Sequence, residues 1–425
     1  MNEFKLRLET GTTGNQGGSG IYSVMGTAPS AWGVGFLPNK YANPGLKWEQ
    51  TSTNNVGLNA SFFNNRIQLE ADYYQKVTDN LIMQAALPAF MGTRGNGGPG
   101  APTVNLGSLQ NNGWAFNLIT TNINTKNFKW ESSFNISGFK TKILKFNNDA
   151  ASLDRTSWWM GNWTQRSSVG QAPWLFLGYK TEGIFQSVDE INNSAVPVDA
   201  KGVRLSTDPA NVWVGDVKYK DMNGDHIIDV KDLTTIGNPW PLFFGGFTNT
   251  FSYKGFELSV LLTYSYGNDI YNYMKMTDSN PQQINLGRNL LNSAANYSKL
   301  ATDENGVSSI INPSSTLPRI SYSNNGNWTR FSDRWVEDGS FIKLKNISLA
   351  YNLPSKLISK QSFIKEVRLM VSAQNIFTLT HYTGYDPEVG AYVGNNSGAD
   401  NQAIGVDNGR YPLTPVYTFN ITVNF

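Results

Sequence analysis

From Pro241 to Tyr266 the chain changes character at nearly every residue, and a period of two admits a strand and excludes a helix. Phe243, Phe247, Phe251 and Tyr253 carry aromatics at odd positions. Phe244 apart, the even ones between them are Gly246, Thr248, Thr250 and Ser252. Lys254-Gly255 turns the chain, and the alternation resumes on Phe256, Leu258, Val260, Leu262, Tyr264 and Tyr266, with Glu257, Ser259, Thr263 and Ser265 between them. The result is a hairpin with one apolar and one polar face. Each arm runs about ten residues, the length a tilted strand needs to cross a bilayer.

Similar strands recur along the 425 residues. Apolar sets are Phe4, Leu6 and Leu8; Val56, Leu58, Ala60 and Phe62; Ile67, Leu69, Ala71 and Tyr73; Trp114, Phe116 and Leu118; and Phe128, Trp130, Phe134 and Ile136. After the hairpin follow Phe341 to Tyr351, then Val367, Leu369, Val371, Ala373 and Phe377, and finally Tyr417, Phe419, Ile421, Val423 and Phe425. In the first of these Lys343 and Lys345 share the parity of Ile347, Leu349 and Tyr351, so they are expected beyond the apolar band. Segment 11–45, which follows the first strand, is rich in Gly, Asn and Pro, and 92–102 is too rich in Gly and Pro for regular structure. A small strand is expected over Leu175 to Phe185, and a helix near Ile284 to Leu300.

The connections alternate strictly between long and short. Outer-membrane barrels have short periplasmic turns and long extracellular loops, so a barrel meander must alternate in this way. A soluble sandwich has no such requirement. The apolar face then meets lipid, the polar face meets a lumen, and closure spares the hydrocarbon zone an unpaired strand edge. The fold class is all-β: an antiparallel transmembrane β-barrel with about ten spanning strands and long extracellular loops, the longest over 140–240. The ten strands are expected to be part of a larger barrel, since the loops are large for so narrow a pore and Met1-Asn2-Glu3-Phe4-Lys5 opens no export segment.

Composition narrows the chemistry. Lys and Arg number 34 against 32 Asp and Glu, with no basic stripe, so no nucleic-acid groove is expected. Cysteine is absent and only His226 and His381 are histidines, which excludes thiol nucleophiles and Cys-ligated zinc. Strand charges on the polar face are Lys5, Arg7, Lys129 and Arg368 against Glu9, Glu70, Asp72, Glu131 and Glu257, which make no ring of one sign. No carboxylate pair has an identifiable catalytic spacing, and the chain reads as a non-enzyme.

Several stretches resemble SusC-like (SusC/RagA family) TonB-dependent transporters of the Bacteroidetes outer membrane. They are Thr13-Gly14-Asn15-Gln16, Asn43-Pro44-Gly45-Leu46-Lys47-Trp48-Glu49, Gly215-Asp216 through Asp232, Ile236-Gly237-Asn238-Pro239, Tyr253-Lys254-Gly255-Phe256 and Gly267-Asn268-Asp269-Ile270-Tyr271. The series continues with Trp335-Val336-Glu337-Asp338-Gly339-Ser340-Phe341, Ser372-Ala373-Gln374-Asn375-Ile376-Phe377 and Gly384-Tyr385-Asp386-Pro387-Glu388, and closes on the aromatic C-terminus. The resemblance covers nearly all of residues 1–425 and implies the C-terminal portion of a 22-stranded barrel. It implies a SusD-like surface lipoprotein as lid, and TonB contact through a part N-terminal to this chain. No plug domain or TonB-binding segment is found in these residues. The expected role is wall and loops of an importer of oligosaccharides or peptides. The alternatives are a stand-alone barrel acting as passive porin or adhesin, and a secreted glycan-binding β-protein.

Three sets of site residues follow. Asp221, Asn223, Asp225, Asp229 and Asp232 place oxygen donors at loop positions 1, 3, 5, 9 and 12 of segment 221–232, with the Ile227 carbonyl at position 7. That spacing suits a structural Ca²⁺, although His226 replaces the usual Gly and position 12 is Asp rather than Glu. Trp158 and Trp159 are candidates for stacking on a sugar ring. Tyr417, Phe419, Ile421, Val423 and Phe425 are expected to contact lipid and to carry the terminal signal read by the barrel-assembly machinery.

Overall fold

The computed structural model describes residues 1–16, 22–23, 25–85, 100–146, 152–157, 162–312, 316–321, 326–358, 363–393 and 402–425. Ten long strands form one antiparallel sheet. They are β1 (Glu3–Asn15), β2 (Glu49–Phe62), β3 (Ile67–Asp79), β4 (Ser108–Asn124), β5 (Phe128–Lys145), β6 (Phe243–Tyr253), β7 (Phe256–Tyr266), β8 (Phe341–Asn352), β9 (Glu366–Thr380) and β10 (Val416–Asn424). Spatial order equals chain order, so the sheet is a simple meander. Its two edges, β1 and β10, do not pair with each other, and the wall is open between them.

The turn chemistry explains the hairpins. Lys254 and Gly255 both have positive φ (46° and 88°), as a two-residue primed turn requires. Phe63, Asn64 and Asn65 take φ of 53°, 55° and 63° between β2 and β3, a run that Asn tolerates through its short polar side chain. The apolar face carries the expected residues, and aromatics pair across strands. Trp130 stacks on Phe251 at 5.6 Å and Phe256 on Tyr351 at 4.3 Å. Gly245 makes room on that face for Tyr264, whose hydroxyl donates to the Asn135 carbonyl at 2.8 Å.

The strands overrun the apolar alternation that revealed them. β1 continues to Asn15 in register with Glu49, through Thr10, Gly11, Thr12 and Thr13, past the end of its apolar alternation. Those residues are polar on both faces, which erases the period of two while leaving the backbone ladder intact. Met25–Ser30 and Gly33–Pro38 add a small hairpin. The expected helix near 284–300 is instead two 3₁₀ segments, Pro281–Leu286 and Asn292–Asn296. Gly287 at φ 70° caps the first and stops it growing into an α-helix. The expected strand over 175–185 is two, Leu175–Gly178 and Thr181–Ile184, in different sheets.

Two lysines sit differently from expectation. A bulge at Lys345 makes Leu344 the partner of Leu262 while Asn346 partners Leu261. One extra residue inverts the parity of the strand. Lys343 therefore lies opposite Thr263 on the polar face, where it is 1% exposed.

The long connections fold together. The strand Leu175–Gly178 pairs with Thr234–Gly237, and Asp269–Asn272 pairs with Val336–Asp338 on one side and Val406–Asp407 on the other. Phe176, Tyr271, Met276, Trp328, Phe331, Trp335, Ala403 and Val406 form a common core from segments 146–242, 267–340 and 381–415. Burying three connections in one core makes the outer end of the sheet a folded unit rather than a set of separate loops.

Candidate functional site

The candidate site is the polar face of the wall together with the loop cluster at its outer end. On the polar face the strand charges neutralise one another, across strands or along one. Arg7 of β1 reaches Asp72 at 3.0 Å and Glu70 at 3.1 Å on β3, passing over Gly57 of β2. A Cβ at Gly57 would lie 2.5 Å from the Asp72 carboxylate and 2.8 Å from the Arg7 guanidinium. Arg368 of β9 reaches Glu257 of β7 at 2.7 Å across β8, and Lys129 pairs with Glu131 at 2.8 Å. Asn55 donates to Glu9 and to Asp72 at 3.2 Å each. The face thus offers amides, hydroxyls and balanced ion pairs, with no excess of one charge along it.

A few loop contacts are ionic, and among the described residues one ion pair is fully buried. Asp216 accepts from Arg319 at 2.7 and 3.1 Å and from Asn327 at 2.8 Å, and all three residues are buried. Glu337 takes Lys275 at 2.8 Å and the amide of Thr383 at 2.8 Å. Burial alone would raise the Glu337 carboxyl, but these donors outweigh it and hold it below the ordinary range. Tyr382 donates to Asp407 at 2.6 Å, and burial with that bond pushes its phenol far up. Lys343 gives its ammonium to Asp386 at 2.9 Å and to Glu388. Asp386, partly buried, also accepts the amides of Glu388 and Leu413, and with Lys343 they hold its carboxyl below the usual value. Sequence spacing does not mark the ion pairs and the Tyr382–Asp407 bond, because each joins residues tens of positions apart.

The acidic loop is closed by its own hydrogen bonds. Asp221 accepts the amides of Asn223, Gly224 and His226, Asp225 that of Ile227, and Asp229 that of Lys231. Buried Asp232 accepts the amides of Met222 at 2.8 Å and Asp229 at 2.8 Å. His226 takes φ 62° where glycine would be usual, so the sharp turn forms without it. Among the described residues no three Asp, Glu or His side chains converge on one point. Desolvation would raise the Asp221 carboxyl, and its backbone donors lower it overall.

Trp158 and Trp159 lie outside the described residues. Of the other loop tryptophans, Trp328 and Trp335 are core, and Trp240 donates to the Pro173 carbonyl at 2.7 Å. Tyr417, Phe419, Ile421 and Val423 share one face of β10, in register with Ala373, Val371, Leu369 and Val367, and Phe425 stacks on Phe363 at 6.1 Å. A polar cluster interrupts the aromatic stripe of the apolar face around Asn249. Asn249 accepts from Trp130 at 2.9 Å and Ser132 at 2.7 Å, beside Asn122 and Thr120. The aromatic neighbours at 247 and 251 obscure it in sequence.

Comparison with known proteins agrees with this architecture. Residues 3–226 match the family model described as TonB dependent receptor-like, beta-barrel. TonB-dependent receptors P26 and P3 of Formosa agariphila are 33% and 31% identical over the whole chain, and SusC of Bacteroides thetaiotaomicron is 26% identical. The chain spans 40% of the first two relatives and 38% of the third. A solved structure of the RagAB peptide transporter has the same fold over 99% of this chain and 41% of its own, with TM-score 0.74 at 23% identity. The ten-stranded sheet is thus an arc of a larger outer-membrane wall, and the chain belongs to the TonB-dependent receptor-like β-barrel family.

Proposed function

We propose that this chain supplies the wall and the extracellular loop cluster of an energised outer-membrane nutrient importer. One observation carries the reading: three long connections at one end of the sheet share a buried core above a charge-balanced polar face. A folded canopy over a wet interior suits capture of a soluble ligand at the cell surface. A passive ten-stranded pore would have to bring β1 and β10 together, because a free edge in hydrocarbon leaves a row of backbone groups unsatisfied.

The cargo in this proposal is an oligosaccharide or a peptide. RagAB, whose fold the chain shares, is a peptide transporter. The partners are a SusD-like lipoprotein lid, TonB and the barrel-assembly machinery. Trp158 and Trp159 serve as stacking contacts for the cargo, and Tyr417, Phe419, Ile421, Val423 and Phe425 serve as lipid contact and assembly signal. Spacing at 221–232 supports a structural Ca²⁺ as a separate proposal, with Asp221, Asn223, Asp225, the Ile227 carbonyl, Asp229 and Asp232 as ligands.

The test is deletion of the full-length parent gene, followed by growth on single glycans and on peptides, with affinity purification of the tagged parent. Loss of growth on one nutrient class, restored only in cells with working TonB, supports import. Unchanged growth on every nutrient, with no lipoprotein recovered alongside, refutes it.

A further inference from the structure

Lys343 is the most buried charge on the polar face of the wall. Its side chain is 2% exposed, and its anionic partners among the described residues are Asp386 and Glu388, which come from the connection between β9 and β10. A lysine desolvated to that degree is tolerated only where carboxylates replace its water. The parity inversion at Lys345 turns it toward the interior, so the Asp386–Glu388 segment must fold inward to meet it. Lys345, from the bulge itself, adds a second contact to Glu388 at 3.3 Å.

The same segment is joined to the rest of the canopy. Downstream of Glu388, Val406–Asp407 pairs with Tyr271 and Asn272, and the Gly405 amide donates to the Gly390 carbonyl at 2.8 Å. Arg410 donates to the Val389 carbonyl. The connection is therefore held to the wall through Asp386 and Glu388, and to the other connections through Thr383 on Glu337 and through Val406–Asp407. Among the described residues the wall anchor is the one built on ion pairs.

We infer that the described parts of the β9–β10 connection, residues 381–393 and 402–415, form a strap latched to the inside of the wall by Lys343, with Asp386 and Glu388 as the catch, so that this triad sets how far the canopy overhangs the lumen. The bulge at Lys345 is the element that makes the latch, because without it Lys343 would face lipid. The inference rests on the wall geometry and not on the cargo.

Hydrogen exchange on the full-length parent protein in detergent or nanodiscs tests it. Two amides report on the catch, those of Glu388 and Leu413, since both donate to Asp386. Lys343→Met is expected to speed their exchange at least tenfold and to expose the strap to protease, while the β7–β8 ladder exchanges as in wild type. Asp386→Asn combined with Glu388→Gln changes only the strap and is expected to do the same, which keeps the test open if Lys343→Met fails to fold. Unchanged exchange at Glu388 and Leu413 in the double variant overturns the latch. Equal acceleration through the whole of β8 in Lys343→Met also overturns it, because the lysine would then hold the wall and not the strap.

Discussion

Leu261 and Leu262 are neighbours of identical chemistry on opposite faces, which makes them the sharpest test of the wall. Leu262 aligns with Phe247 and Leu344 on the apolar face, and Leu261 with Thr248 and Asn346 on the polar one. β7 spans eleven residues, Phe256–Tyr266. At about 3.4 Å per residue and a tilt of about 40° it rises roughly 26 Å, close to the height of an outer-membrane apolar band. Leu262 is one residue from its middle, near the midplane. Leu262→Arg there is expected to cost about 2–4 kcal/mol, roughly a 30- to 900-fold shift in the folding equilibrium. Leu261→Arg places the same charge in a wet interior and is expected to stay within about 0.5 kcal/mol of wild type. Reversible urea unfolding of the parent protein in lipid vesicles, followed by tryptophan fluorescence, measures both. Equal costs, or a larger cost at Leu261, would refute the assignment of faces.

Gly245→Ala would bring a Cβ to 2.1 Å from the Asn135 carbonyl, a backbone atom that cannot swing away, and is expected to destabilise by about 1–3 kcal/mol or more in the same assay. Gly57→Val should uncouple Arg7 from Asp72, so a double-mutant cycle between Arg7→Met and Asp72→Asn loses its coupling in that background. Asn249→Leu would strip the acceptor from the Trp130 indole, with an expected cost of about 1–3 kcal/mol despite the more apolar side chain. Glu337 and Asp386 both have lowered carboxyl pKa values when folded, so their stabilising contribution is full above the ordinary carboxylate range. It fades as pH falls through those lowered values. Limited proteolysis of the canopy across acid pH should show it loosening there, before the β-ladder exchanges. Calorimetry with millimolar Ca²⁺ on the parent protein reads the proposed ion at 221–232, and Asp221→Asn with Asp225→Asn should abolish any heat.

The wall was legible because a strand between lipid and water must alternate, and each of the ten apolar stripes writes that requirement into consecutive residues. Tyr417 to Phe425 and the Pro241 to Tyr266 hairpin are read directly, turn included, since Lys254-Gly255 supplies the positive φ the turn needs. Spacing also singled out the loop at 221–232, where neighbours in sequence are neighbours in space. Where strands rise above the apolar band the signal stops, which is why β1 past Leu8 goes unseen although its ladder continues to Asn15.

Tertiary structure decided everything that depends on long-range pairing. A single inserted residue at Lys345 reverses the facing of Lys343, and strict alternation cannot reveal a bulge. The shared core of Phe176, Tyr271, Trp335 and Val406 joins residues from three connections whose individual sequences are merely polar and irregular. Asp216 meets Arg319, and Lys343 meets Asp386, only after the chain has closed loops of many residues. Local periodicity thus determined which residues alternate between the two faces of a strand, and the pairing and packing of distant segments decided where that alternation breaks and what covers the outer end of the sheet.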